Sequence, residues 1–368
     1  MDGDQDPGWR RSGEDDAALR QGNRRLTGSS PRIDWARPLP ERAAVDPATF
    51  SAEIAGSDAP VVLRDQVSGW PAVTASAAGR EAAARYVASF DRGQPAQVLV
   101  GPPEIGGRFF YRDDWRGFNF ARERVTMTQL AGELLRIADD PAAHALYAGS
   151  AATGEHLPGW DEANPLDLPM PGAQARVWVG NATRVATHYD GSANLACVVA
   201  GRRRFLLFPP DQLANLYVGP LDNTMAGQPA SLVDPDAPDL DRFPRFAEAM
   251  RHAMVADLAP GDAIYMPAFW WHNIRATGPF NILVNYWSER PDQTSPFLAM
   301  VHALMAVRDL PAHERDVWRG WFDHYVFGDA AADAADHMPE PVRGVLGAPS
   351  LARTERIRQY LLRALAGR

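Results

Sequence analysis

Lysine is absent from this 368-residue sequence, and cysteine occurs once. All 37 basic residues are therefore arginine, so a position that needs a cation must use a guanidinium. The single cysteine, Cys197, excludes an intrachain disulfide and a cysteine-clustered zinc site, and it fits a reducing, cytoplasmic setting. It lies in an apolar run, Leu195 to Val199, and reads as an inert core thiol. Long apolar stretches are lacking too. No run reaches the about 18 residues of a transmembrane helix. The opening MDGDQDPGWRRSGEDD has no apolar centre, so no secretory signal is expected. Nor is there an excess of positive charge. With 46 acidic residues the net charge is −9, which argues against a non-specific nucleic-acid binder.

What the chain does have is apolar material, 46% of its residues, including 11 Trp and 15 Phe. Residues 1–32 are polar and charged and read as a disordered tail. A short helix is expected at Asp46 to Ala55, a buried strand at Pro60 to Arg64 and a helix at Ala78 to Phe90. Strands are expected at Ala96 to Val100, Phe109 to Tyr111 and His144 to Tyr147. Thr126 and Gln129 have the spacing of a capping box and should open a helix running to about Ala138. From Ala175 to Ser288, short apolar runs are punctuated by Gly, Pro, Asn and Asp. They predict strands at Arg176 to Val179, Ala186 to Asp190, Asn194 to Val199, Arg202 to Phe208, Ala263 to Met266, Asn273 to Arg275 and Asn281 to Trp287. That texture predicts a β-sandwich or barrel. Asp211 to Ala256 forms an insert, helical around Phe243 to Met254. After Ser295-Pro296 the pattern turns helical, with a second helix from Pro311 and a third capped by Ser350. The expected division is a tail at 1–32, one mainly-β domain with flanking helices at 33–290 (core 144–288), and a C-terminal helical segment at 291–368.

Chemistry concentrates in two places. Along a strand, residues i and i+2 point to one face, so His188 and Asp190 project together and Tyr189 points away. A histidine and a carboxylate placed so supply two legs of a two-histidine, one-carboxylate facial triad. That ligand set binds non-haem Fe(II) and leaves coordination positions open. The third leg is expected from His272. It follows a Pro260-Gly261-Asp262 turn, a short strand, Pro267 and the pair Trp270-Trp271. Alone, a His-x-Asp often marks a surface loop, and a single buried histidine is usually a hydrogen-bonded core residue. Together, in a β-rich context, the two pieces point to a metal site. The other histidines (144, 156, 252, 302, 313, 324 and 337) show no paired spacing. Trp178, Trp270 and Trp271 read first as packing residues.

These motifs also carry a resemblance. His188-Tyr189-Asp190, then Gly201-Arg202-Arg203-Arg204-Phe205-Leu206-Leu207-Phe208-Pro209-Pro210, then Pro260-Gly261-Asp262, Pro267 and Trp270-Trp271-His272 together resemble the JmjC-type, cupin-like 2-oxoglutarate oxygenases. Within them the chain looks most like the branch of the asparaginyl hydroxylase that acts on hypoxia-inducible factor. The likeness covers about Tyr147 to Trp287. It implies a double-stranded β-helix (jelly-roll) core, Fe(II) as cofactor, 2-oxoglutarate as co-substrate, and succinate and carbon dioxide as co-products. It implies that Arg203 stands where the family has a cation, typically lysine in this branch, for the distal carboxylate of 2-oxoglutarate. Arginine can hold that group bidentately. Arg202 and Arg204 read as a solvated face. Tyr147, Asn194 and Asn285 match further co-substrate and near-metal residues, and Trp287 matches a family tryptophan.

Two departures concern the substrate. Val185 stands where the related hydroxylase has a threonine that touches the co-substrate, and Pro229-Ala230 replaces an Arg-Gln pair near its substrate. The resemblance implies a dioxygen-using hydroxylase of a protein or peptide side chain. A small-molecule or RNA-modifying oxygenase is the alternative within that chemistry. A non-catalytic cupin-like binding module and a metal-dependent isomerase are the alternatives outside it. The aromatic-rich helices after Pro296 are expected to pack on the core or to form a homodimer, as C-terminal helices do in the resembling hydroxylase.

Overall fold

The computed structural model describes residues 33–288 and 295–367. The tail expected at 1–32 lies outside the described residues. Among the described residues thirteen strands form one large mixed sheet with flanking helices, consistent with a cupin-like jelly-roll core. The N-terminal third supplies β1 (Arg37–Pro38), β2 (Glu41–Arg42), β3 (Val61–Leu63), β4 (Ala96–Gly101), β5 (Arg108–Phe109) and β6 (Ala121–Val125). The middle supplies β7 (Ala145–Ala152), β8 (Ala175–Gly180), β9 (Arg184–Tyr189) and β10 (Asn194–Phe208). Then come β11 (Met254–Leu258), β12 (Ala263–Met266) and β13 (Trp271–Trp287).

Two long strands organise the core. The first half of β10 pairs with β12 and with the second half of β13, which in turn pairs with β8. The second half of β10 pairs with β11 and with the first half of β13, which pairs with β9. Both strands thus pass from one face of the jelly roll to the other, and the register shifts between Val198 and Arg202 mark the crossing. The two pairs of strands expected at Asn194 to Val199 and Arg202 to Phe208, and at Asn273 to Arg275 and Asn281 to Trp287, are therefore two continuous strands, and β11 lies where no strand was expected.

Gly201 sits at that crossing with φ 73°, and a Cβ there would run into the Asn281 side chain. Gly201→Ala therefore combines left-handed backbone strain with a clash. The expected loss is roughly 2–4 kcal/mol in a denaturant melt; a loss within a few tenths of wild type would show that the bulge relaxes freely.

Between the two faces lies an inner core that includes Val62, Ala196, Val198, Phe205, Leu207, Leu258, Ile264, Met266 and Leu283. Burying each of these side chains other than that of Ala196 contributes ~1.5–3 kcal/mol. One outer face is covered by helices Pro47–Glu53, Pro71–Ala77, Arg80–Phe90 and Met127–Arg136. The Thr126–Gln129 capping box opens the last of these. Cys197 is fully buried in this outer core, and burial pushes its thiol pKa up, as expected for an inert residue. The insert covers the other face with helix Phe246–His252. Asp234 and Asp236 of the insert pin it to β9 and β13 through Arg184 and Arg275.

The C-terminal helices do not join this packing. Pro296–Ala306, Ala312–Phe322 and Leu351–Ala366 bury no side chain, and Leu298, Met305, Trp321, Leu351 and Leu362 are each more than half exposed. Ser350 caps its helix as expected, whereas Ser295 makes no side-chain cap bond.

Candidate metal centre

β9 and β13 bring the two histidines face to face. His272 is the direct cross-strand partner of His188, and their ring centroids are 4.3 Å apart. Asp190 follows the last residue of β9, with its Oδ2 3.6 Å from His272 Nε2. One donor atom from each of the three residues lies within 4.8 Å of the others, and among the described residues this is the one group of three that could hold a metal ion.

The two histidines are oriented by the same device. His188 Nδ1 lies 2.9 Å from the Ala186 carbonyl, and His272 Nδ1 lies 3.0 Å from the Trp270 carbonyl. A carbonyl only accepts, so each Nδ1 carries the proton and each Nε2 keeps its lone pair for a metal. Burial, reinforced by neighbouring His188, pushes His272 down to about 4. The ring is therefore neutral at ordinary pH, the state a ligand requires.

Asp190 is held by donors. Its Oδ2 accepts from Trp287 Nε1 at 2.9 Å and from Asn194 Nδ2 at 3.1 Å. Burial works against its ionisation, but the attraction of His272 and His188 and these two hydrogen bonds prevail, holding the carboxyl below its usual range. The backbone is fixed as well. Phe269 N–H donates to the Asp190 carbonyl at 2.8 Å, from a residue strained into the left-handed region at φ 68°. That strain sits in the turn after Pro267. It places Trp270, whose indole donates to the Asp58 carbonyl, and Trp271, which packs on Tyr189. Both tryptophans are therefore packing residues. Upstream, Asp262 of the Pro260-Gly261-Asp262 turn accepts from the backbone N–H groups of Asp65 and Ala259 and pairs with Arg64 at 2.6 Å.

The asparagines expected beside the co-substrate form a relay into the carboxylate. Trp178 Nε1 donates to Asn285 Oδ1 at 2.7 Å, Asn285 Nδ2 to Asn194 Oδ1 at 3.3 Å, and Asn194 to Asp190. Trp178 thus does more than pack, and Trp287, the match to a family tryptophan, holds the carboxylate. Both end this network on Asp190, although only their positions, not their partners, could be read in the sequence.

Arg203 is placed differently. It is 2% exposed on the inner face of β10, and among the described residues Nε and Nη2 of its guanidinium have no hydrogen-bond partner. Burial disfavours its charge, and the Tyr147 phenol against it partly offsets that. A buried cation with two free donors fits an anion such as a carboxylate. Tyr147 packs with Phe109 and Trp178, and Val185 lines the same cluster. Ala230 of the insert forms an isolated bridge with His188, so the Pro229-Ala230 departure lies directly beside a histidine of the triad.

A model of the cupin-like domain matches residues 47–294, most of the chain. The chain belongs to the cupin-like domain family. Over 122 residues it is 34% identical to HSPB1-associated protein 1 of Homo sapiens, covering 32% of this chain and 24% of that protein. Over 109 residues it is 35% identical to tRNA wybutosine-synthesizing protein 5 of Danio rerio, covering 29% and 30%. Over 152 residues it is 34% identical to Jumonji C domain-containing protein 5 of Drosophila melanogaster, covering 40% and 36%. The aligned part spans between about a quarter and just over a third of these relatives. The likeness to these relatives covers part of each protein, not the whole.

Proposed function

We propose that this cupin-like protein is an Fe(II)- and 2-oxoglutarate-dependent oxygenase that hydroxylates a C–H bond of a protein or peptide side chain. The observation that carries the reading is the convergence of His188, Asp190 and His272 in a core that also buries the partnerless donors of Arg203. The donor set suits Fe(II): two imidazoles with Nδ1 turned to a backbone carbonyl, and one carboxylate. Arg203, with Tyr147 beside it, would take the distal carboxylate of 2-oxoglutarate. Bound together, iron and 2-oxoglutarate supply the oxidising power, drawn from dioxygen as the co-substrate goes to succinate and carbon dioxide. The chain's own contribution is orientation and shielding. Ala186 and Trp270 aim the imidazoles, Trp287 and Asn194 hold the carboxylate, and the apolar core keeps water from the guanidinium. Placement beside the asparaginyl hydroxylase is part of the same proposal. A second reading, an RNA substrate, is supported by the name of one relative, tRNA wybutosine-synthesizing protein 5.

Anaerobic titration with Fe(II) and 2-oxoglutarate tests the reading. A visible charge-transfer band is expected in the wild type and none in His188→Ala. If the two proteins behave alike, the oxygenase reading fails.

The C-terminal helices are proposed to pair with those of a second copy. Their exposed aliphatic and aromatic faces would be costly in a monomer. Light scattering at micromolar concentration is expected to give a dimer mass, and Trp321→Glu with Leu362→Glu to give a monomer. A monomeric wild type would refute pairing.

A further inference from the structure

Arg176 is a second cation of the site. Its neighbours on β8, Ala175, Val177 and Val179, belong to the outer core, so Arg176 shares the opposite, inward face with Trp178. It lies beyond Trp178, towards the metal residues. Its cross-strand partner is Asn285, and its guanidinium carbon lies 5.7 Å from the ring of Trp287, the indole that donates to Asp190. Four residues of strand, about 13 Å, separate it from Gly180, the residue paired with Tyr147 at the level of the co-substrate cluster.

Its partners leave it short of a counter-charge. Nη1 donates to the Ser150 carbonyl at 3.1 Å and approaches Ser150 Oγ at 3.4 Å. Among the described residues no carboxylate pairs with it. The half-buried guanidinium thus keeps donors for an anion that the described residues do not supply. The support beneath it is built. β7 bulges between Ala148 and Ala151, and at the bulge Ser150 takes φ 57°, unusual for a residue with a side chain. Bulges of this kind re-aim groups next to active sites, and here the bulge turns the Ser150 carbonyl onto Arg176.

We propose that Arg176 recognises a carboxylate of the substrate and orients that substrate over the metal, making it a specificity-determining residue distinct from the 2-oxoglutarate anchor. The inference rests on the oxygenase reading for the place of the metal. Within it, the substrate class narrows to acidic peptides or small carboxylic acids. A guanidinium presents parallel donors that match a planar carboxylate, and a charge-assisted contact of that kind is worth tenfold or more in affinity.

The test uses the full chain with Fe(II) and saturating 2-oxoglutarate under anaerobic conditions, so that added anions are not read at Arg203. Pooled, end-capped heptapeptides with a fixed central Glu, Gln, Leu or phosphoserine are partitioned on the immobilised protein and counted by mass spectrometry. Glutarate and its diamide, glutaramide, form a parallel calorimetric arm that separates a free acid from a peptide. The expected result is at least about tenfold retention of the Glu pool over the Gln pool, or of the free acid over its amide. The preference should vanish in Arg176→Gln and return in part in Arg176→Lys, with the charge-transfer band forming in all three proteins. Equal retention of Glu and Gln together with no preference for the free acid, an unchanged preference in Arg176→Gln, or a stronger preference for phosphoserine overturns the proposal. So does loss of the band in Arg176→Gln, which would make Arg176 a co-substrate residue. Absence of the band in the wild type, with an Arg176-dependent carboxylate preference intact, would instead fell the oxygenase reading and leave the anion site standing.

Discussion

Replacing Arg203 with methionine is expected to stabilise the protein alone and to abolish 2-oxoglutarate binding. The two effects share one cause. Arg203 is 2% exposed, and among the described residues its Nε and Nη2 have no partner, so the fold carries a desolvated charge that Tyr147 offsets only in part. Leaving buried polar donors unpaired costs about 1–3 kcal/mol, more when they are charged. Methionine fills similar space with no such cost. In urea melts without ligand, Arg203→Met should therefore be more stable than wild type by about 1–3 kcal/mol. Adding 2-oxoglutarate with Fe(II) at a hundred times its dissociation constant should stabilise the wild type by about 2.7 kcal/mol and leave the variant unmoved. The order of stability then reverses or closes on ligand addition. A variant less stable than wild type, yet still stabilised by 2-oxoglutarate, would show that Arg203 is a structural cation and that the anchor lies elsewhere.

Much of this site was legible before any geometry. Period-two alternation alone put His188 and Asp190 on one face, and the Pro-Gly-Asp turn with Pro267 delivered His272 to a neighbouring strand. These are local rules, and local rules survive folding. What could not be read depends on pairing. Gly201 and Gly278 look like turn residues, but tertiary pairing carries β10 and β13 through them, so two predicted pairs of strands are two long strands. β11 hides behind helix Phe246–His252 because Met254–Leu258 alternates too briefly to stand out. The relay from Trp178 through Asn285 and Asn194 needs the registers Leu283↔Trp178 and Ala196↔Asn285, which no single segment encodes. The orientation of both imidazoles by carbonyls two residues upstream rests on side-chain rotamers, beyond the reach of spacing. The role proposed for Arg176 is illegible in the sequence for a related reason. Its importance comes from the bulged β7 residue beneath it and from Trp287, which lies far away in sequence.

Asp190 separates ligation from folding, and two substitutions should pull them apart. Asp190→Asn keeps an oxygen able to accept from Trp287 and Asn194, so the network survives and stability should stay within about 1 kcal/mol of wild type. What it loses is the charge. A neutral amide is a poor partner for Fe(II) beside two imidazoles, and metal affinity measured by anaerobic titration should fall at least a hundredfold, about 2.7 kcal/mol. Asp190→Ala loses the metal equally and also leaves the buried Asn194 amide and the half-buried Trp287 indole without their acceptor, at about 1–3 kcal/mol in all. Its urea midpoint should drop well below that of the Asn variant while the two bind metal equally badly. Should Asp190→Asn retain Fe(II) at wild-type affinity, the carboxylate would be a structural acceptor alone. The relay that converges on it would then exist to hold β8, β10 and β13 in register, not to set the geometry of a metal.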